Sequence, residues 1–293
     1  MLALIAGTGD LPAALVQRLP SRPLICALAG FRPTITPDIT FRIEQFGSFL
    51  VALRARGVTE ICLAGAVSRP QIDPSLIDAA TEPLVPRIAA AIAQGDDGAL
   101  RIIMALFEEA GLHVKAAHSI APDLLPAAGV GSHMPVTSAH KRDAVNAEAI
   151  LSQMGQDDSG QACLLRNGQV LARETRAGTD AMLRRFAPTG DSAWDPVDGL
   201  GTVLGGAAEW LSGPAGAPID ARGAILFKGP KPDQDRRADL PVVGPQTAEL
   251  AVTIGLAGIV IEAGGVMVLD LPRVLAVLDA AGMFFWGRPK GGI

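Results

Sequence analysis

Leu2-Ala3-Leu4-Ile5-Ala6, then Gly7-Thr8-Gly9, then Asp10-Leu11-Pro12 running on to Leu19, is the stretch on which the fold turns. Five apolar residues bounded by glycine read as a buried strand. The glycine pair turns the chain at once. Pro12 falls in the first turn of the helix expected over 10–19, where its missing N–H costs little. A strand feeding a helix through a glycine turn is the first half of a βαβ unit.

The same grammar repeats outward from that unit. Leu24–Leu28 reads as a strand, Phe46–Arg56 as an amphipathic helix, and Glu60–Ala64 as a strand running into the loop Gly65–Pro70. Helices are expected over Pro83–Gln94 and Asp97–Ala110, and Leu112–Ala116 closes the set as another strand. Alternating strands and helices predict a mainly parallel sheet, so residues 1–131 are assigned to a Rossmann-like α/β domain. Ala127–Pro135, with two glycines and a proline, reads as a linker. Beyond it, residues 135–290 are assigned to a second, mixed α/β domain carrying the catalytic chemistry. A helix capped by Thr137 should run to Met154. Asn167-Gly168, between Ala162–Arg166 and Gln169–Arg173, is a type I′ hairpin signal. Thr179–Phe186 is a short helix, and Pro188–Gly223, rich in Gly, Pro and Ala, a long surface excursion. Ala224–Phe227 is a strand into a charged loop, Lys228–Asp239. Strands and helices then recur over Gln246–Gly255, Gly258–Ile261, Val266–Leu269, Leu271–Ala281 and Met283–Trp286.

The whole chain, 293 residues with 49% hydrophobic and 19% charged, supplies a packed core and excludes global disorder. Its net charge of −5 argues against a general nucleic-acid binder, which needs excess positive charge to displace counterions. Cys26, Cys62 and Cys163 lie far apart with no metal-ligand spacing, so neither a disulfide framework nor structural zinc is expected. Met1 leads straight into an apolar strand without a basic segment, so no signal peptide is expected. The apolar run Leu250–Ile261 is broken by glycines and too short to cross a bilayer. A cytoplasmic protein is expected, able to work at a membrane surface.

Four groupings carry candidate chemistry. Gly7, Thr8 and Gly9 sit where backbone N–H groups can approach a phosphate, though tight turns need glycine in any case. A nicotinamide site would want G-x-G-x-x-G and an acidic residue ending the second strand. Here Pro12 replaces the third glycine and the strand ends Leu28-Ala29-Gly30. Ser68 and Arg69, just past a strand, suit a sugar hydroxyl or a phosphate. In Lys228–Asp239, two of the chain's five lysines lie three residues apart, Lys228 and Lys231, with Gln234, Asp235, Arg236, Arg237 and Asp239. Cations there suit a diphosphate and carboxylates suit a divalent cation or a water-activating role; the bland alternative is a solvated charged loop. Thr179 and Asp180 stand at a helix start, where capping alone explains one of them. The four histidines share no ligand spacing.

Together these blocks resemble the UDP-2,3-diacylglucosamine pyrophosphatase family of the LpxI type. The matching text is Leu4–Pro12, Ala64–Pro70, Gly95-Asp96-Asp97 with Ala117-His118, Glu174 through Arg185, and Lys228–Pro241 with Gly244–Thr247 and Gly255–Val260. Pro188–Gly223 is longer than that pattern expects. The resemblance implies hydrolysis of UDP-2,3-diacylglucosamine to 2,3-diacylglucosamine 1-phosphate (lipid X) and UMP in lipid A biosynthesis. It also implies a divalent cation (Mg²⁺, or Mn²⁺), a homodimer, a substrate held between two domains, and transient contact with the inner-membrane surface. Asp239 takes the place of the family's catalytic aspartate, with Lys228, Lys231 and Arg237 neutralising phosphate charge and Asp235 and Asp239 holding metal. Thr179, Asp180, Gln234 and Arg236 would line the site. Two rival readings are a non-catalytic nucleotide-sugar or lipid-binding regulator and a dinucleotide-dependent oxidoreductase, which Pro12 and the missing acidic residue oppose.

Overall fold

The computed structural model describes residues 1–68, 70–156, 159–188, 220–232 and 234–292, the side chain of Asp96 apart. Most of Pro188–Gly223 therefore lies outside the described residues, as do Arg69 and Asp233.

Strands β1 (Leu2–Ala6), β2 (Leu24–Leu28), β3 (Ile39–Phe41), β4 (Glu60–Ala64) and β5 (His113–Val114) form one sheet in the order β3-β2-β1-β4-β5. Every pairing in it is parallel. Residues alternate across β1, so Ala3 and Ile5 face one layer while Leu4 and Ala6 face the other. The first layer holds α2 (Phe46–Ala55), α3 (Val85–Ala93) and α4 (Asp96–Glu109). The chain is poor in aromatics, but four phenylalanines concentrate here. Phe41 stacks on Phe49 at 3.9 Å, and Phe46 meets Phe107 edge-on at 5.1 Å. The second layer holds α1 (Leu11–Val16) and α5 (Ala117–Ile120), and Leu240 and Met267 pack into the same cluster from the other half of the chain. That apolar contact fixes one half against the other.

The second sheet is mixed. Strands β6 (Gly129–Val130), β7 (Ala162–Arg166), β8 (Gln169–Arg173), β9 (Ile225–Lys228), β11 (Gly258–Glu262) and β13 (Phe284–Arg288) take the order β6-β13-β11-β9-β7-β8. The three central strands run parallel, and β6, β7 and β8 run antiparallel to their neighbours. α6 (Ser138–Gln156) covers one face, through Ala144, Ala147 and Leu151. α7 (Thr179–Arg184), α8 (Pro245–Thr253) and α9 (Leu271–Ala280) cover the other. A two-stranded parallel ribbon, β10 (Val242–Val243) with β12 (Met267–Val268), completes the unit. The predicted hairpin is present: Asn167 and Gly168 both have positive φ (50° and 81°). Asp143 on α6 pins it, accepting both their N–H groups at 2.8 and 2.6 Å.

Some expectations change. α1 stops at Val16 because Pro20 disfavours helix at Leu19, and the last turn tightens into i→i+3 bonds. The strand expected over 112–116 pairs only at His113–Val114. Gly129–Val130 falls inside the first range of the sequence division, yet it pairs with Trp286 and Gly287 at the edge of the second sheet. Lys228 is the last residue of β9, not the first of a loop. The three cysteines are unpaired and buried, and burial pushes their thiols up to about 12. No helix among the described residues is long and apolar enough to cross a membrane.

Candidate functional site

In the order β3-β2-β1-β4-β5 the chain reverses direction across the sheet between β1 and β4, and a crevice opens beyond their carboxyl ends. Two glycine turns shape its floor. Thr8 and Ala66 exchange backbone hydrogen bonds, both 2.9 Å. A Cβ on Gly7 would lie 2.5 Å from the Ala66 carbonyl oxygen, and one on Gly65 would lie 2.6 Å from that of Thr8. Both glycines are therefore required by backbone-to-backbone contact. Gly7 faces that contact, whereas Thr8 and Gly9 (φ 90°) line the crevice.

The opposite wall comes from the second half. A cleft of about 270 Å³ is bounded by Thr8, Gly9 and Asp10 on one side and by Lys228, Asp239 and Met267 on the other. Arg236, Arg237 and Gln161 also reach it.

Lys228 is buried at the end of β9 and held by a chain of bonds with forced polarity. Its Nζ donates to Thr179 Oγ1 (2.7 Å) and to the Val242 carbonyl (2.9 Å). An ammonium has no lone pair, so the Thr179 oxygen must accept and its hydrogen must go elsewhere. It goes to Glu174 Oε1 at 2.7 Å. Glu174, itself buried, takes the Gln161 N–H on its other oxygen at 2.7 Å. Burial lowers the Lys228 pKa below its ordinary value, against the pull of Glu174, Asp180 and Asp239. Among the described residues two of the three ammonium hydrogens meet an acceptor, and Lys228 lines the cleft.

Asp239 is partly buried on the same wall. Gln234 Nε2 donates to its Oδ2, while the Gln234 carbonyl oxygen accepts the Lys231 N–H at 3.1 Å. Burial raises the Asp239 pKa; the Gln234 bond opposes this, Asp97 reinforces it, and Lys231 and Lys228 oppose it. A carboxyl that burial makes hard to ionise and an ammonium that burial makes hard to keep charged line the same cleft, and such groups suit proton and charge handling.

The middle of the segment behaves differently. Both Asp235 oxygens accept from Arg237, at 3.0 and 2.8 Å, and Arg237 also reaches Glu108 at 2.7 Å. The Arg237 bonds hold the Asp235 carboxyl below its usual range, and Asp235 raises the Arg237 pKa. Arg236 pairs with Glu262 at 3.1 Å.

Of the residues singled out from sequence, the cleft brings together Thr8, Gly9, Lys228, Arg236, Arg237 and Asp239. Thr179 stands behind Lys228, and Asp180 beside it accepts from Thr247 at 2.8 Å. Lys231 pairs with Asp97 at 3.4 Å, and Gln234 braces Asp239. Ser68 lies in a separate cavity. Among the described residues no three His, Cys, Asp or Glu side chains gather into a cation cage. Sequence reasoning quoted Glu174 and Asp97 only as matching text and gave neither a role. Both act from elements far along the chain from the carboxylate and ammonium they influence.

The LpxI N-terminal domain family matches residues 1–124 and the LpxI C-terminal domain family matches residues 127–286. The chain is also similar to a Caulobacter vibrioides protein named UDP-2,3-diacylglucosamine pyrophosphatase LpxI. The two are 34% identical over 98% of this chain and 96% of that relative.

Proposed function

The chain belongs to the LpxI family, and from that premise we propose that it hydrolyses the diphosphate of UDP-2,3-diacylglucosamine, giving 2,3-diacylglucosamine 1-phosphate and UMP within lipid A biosynthesis. One observation carries the assignment to this cleft: Lys228 and Asp239, the two ends of one segment, face the glycine turns of the other half across it. The backbone at Thr8 and Gly9 receives the diphosphate. Lys228 offsets negative charge on the phosphoryl oxygens as it grows toward the transition state. Asp239, in its ionised form, orients the attacking water, directly as general base or through a cation that it holds.

A divalent cation, Mg²⁺ or Mn²⁺, belongs to this reading. Mg²⁺ is commonly held by one or two carboxylates and the substrate's own phosphates rather than by a protein cage, and Asp239 fits that role. Bound there, it would supply Lewis-acid polarisation of the phosphoryl group. Asp235 joins only by giving up Arg237. The homodimer and contact with the membrane surface rest on the family resemblance.

The test is turnover of UDP-2,3-diacylglucosamine with products resolved by mass spectrometry. Lipid X and UMP are expected, lost in EDTA and restored by Mg²⁺. Binding without cleavage would favour the regulator reading, and full activity in excess EDTA would remove the cation.

A further inference from the structure

Glu174 has no part in the reaction proposed above, yet one wall of the cleft is built around it. It directly follows β8 and is buried. Its Oε1 accepts the Thr179 hydroxyl and its Oε2 the Gln161 N–H, both at 2.7 Å. Gln161 lines the cleft just ahead of β7, and the Glu174 N–H donates to the Ala162 carbonyl at 2.8 Å. The chain closes on this residue from the other side as well. A Cβ on Gly160 would lie 2.5 Å from the Glu174 carbonyl oxygen and 3.0 Å from its Cβ.

A buried ammonium needs a counter-charge, or it sheds its proton. Three carboxylates act on Lys228: Glu174, Asp180 on α7, and Asp239 at the far end of the charged segment. Asp180 accepts the Thr247 hydroxyl at 2.8 Å, and Asp239 is braced by Gln234 and given to water or a cation in the reading above. Among the described residues, Glu174 is the carboxylate joined to the ammonium by hydrogen bonds, through the single hydroxyl of Thr179. The intervening hydroxyl matters. A carboxylate bonded straight to the ammonium would close into an ion pair, as Asp235 does with Arg237. Set back by one hydroxyl, its charge still attracts the proton on Lys228, while the ammonium remains free to meet a phosphoryl oxygen.

We propose that Glu174 is a positioning residue of the hydrolase: through Thr179 it keeps Lys228 protonated without neutralising it, and through the Gln161 N–H it holds the start of β7 on the same wall. The catalytic part of this inference rests on the hydrolase reading above.

The experiment follows Lys228 directly. The chain has five lysines, so ¹³C-lysine labelling of the full protein gives five ε-methylene NMR signals, and Lys228→Met assigns one of them. Glu174→Gln keeps the shape and removes the charge. The Lys228 signal should then titrate at lower pH than in wild type, with the other four unmoved. The alkaline limb of kcat should move with it, so that turnover on that side falls roughly tenfold, the equivalent of one unit. Glu174→Asp keeps the charge and should stay closer to wild type in both readouts. Should Glu174→Gln not fold, Thr179→Val, which cuts the connection, carries the same test. A Lys228 signal that titrates as in wild type in either folded variant would overturn the proposal. So would a Gln variant closer to wild type than the Asp variant, since the space filled and not the charge would then be what counts. A signal that moves while the kcat limb stays would remove the catalytic role and leave the hydrolase standing. A signal that moves in a protein that cleaves nothing would uphold the Glu174–Lys228 coupling and remove the hydrolase reading.

Discussion

The ends and the middle of residues 228–239 have similar composition and opposite fates. At the ends, Lys228 and Asp239 are drawn onto the cleft wall, and burial moves both pKa values toward the neutral forms. In the middle, Asp235 and Arg237 close on each other near the surface, and pairing moves both toward the charged forms. The lesson is physical. Opposite charges that satisfy each other in solvent have little left to offer a substrate, whereas a charge held by neutral groups in a buried place retains its reactivity.

The comparison breaks most sharply at Asp239. Asp239→Asn is nearly isosteric and should lose roughly 10²-fold or more in kcat, the scale of general-base or metal-assisted steps. Its pH signature has a definite sign. Without the cation, burial raises the Asp239 pKa, so the carboxyl should titrate above the ordinary ~3.9 for aspartate in EDTA, and Mg²⁺ should draw it down. Stability follows from the same shift. The contribution of this carboxyl to folding is present at low pH and is lost as pH rises through the same raised value. A carboxyl that titrates at the ordinary position in EDTA would contradict its burial on the cleft wall.

A smaller loss is expected behind Lys228. Thr179→Val removes the hydroxyl between Glu174 and the ammonium, leaving one acceptor oxygen unpaired and one donor short. Turnover should fall on the order of tenfold and stability by about 1–3 kcal/mol, the cost of a buried unsatisfied polar group. The alkaline limb, already drawn below the ordinary lysine value, should shift as well. Thr179→Ser, which restores the hydroxyl, should recover both; if it does not, the side chain's packing and not its bond is what matters.

Gly7 and Gly9 sharpen the comparison in a different way. Gly7→Ala places a Cβ against the Ala66 carbonyl and should lower stability by about 1–3 kcal/mol, read by thermal melting. Gly9→Ala meets open space and carries only the strain of its positive φ, so its stability loss should be the smaller of the two. Equal losses would mean the close approach of the two turns is not what Gly7 provides. Smallest of all is Asp235→Asn, which trims an exposed ion pair and should leave kcat within about threefold.

Much of the architecture was readable. The strand–glycine–helix opening announced the parallel sheet, and Asn167-Gly168 announced its hairpin. β3 was not readable, because its three residues, Ile39–Phe41, are too few to show a period. β6 hid inside a glycine-rich stretch that reads as a linker. The charged segment was singled out, and the cleft draws on its ends, but composition ranks its members alike. Lys228 looked like the first residue of a loop because a strand ending in a buried lysine makes sense only once Thr179, Glu174 and Val242 surround it. Those partners lie 14 residues onward in the chain, at Val242, and 49 or more residues back, at Thr179 and Glu174.

The most direct test of the account compares single-turnover cleavage of UDP-2,3-diacylglucosamine by Asp239→Asn and Asp235→Asn, with folding checked by circular dichroism. The account predicts that Asp239→Asn binds the substrate and leaves it uncut, while Asp235→Asn cleaves at close to the wild-type rate. A folded Asp239→Asn that cleaves normally, or equal losses in the two variants, would contradict it.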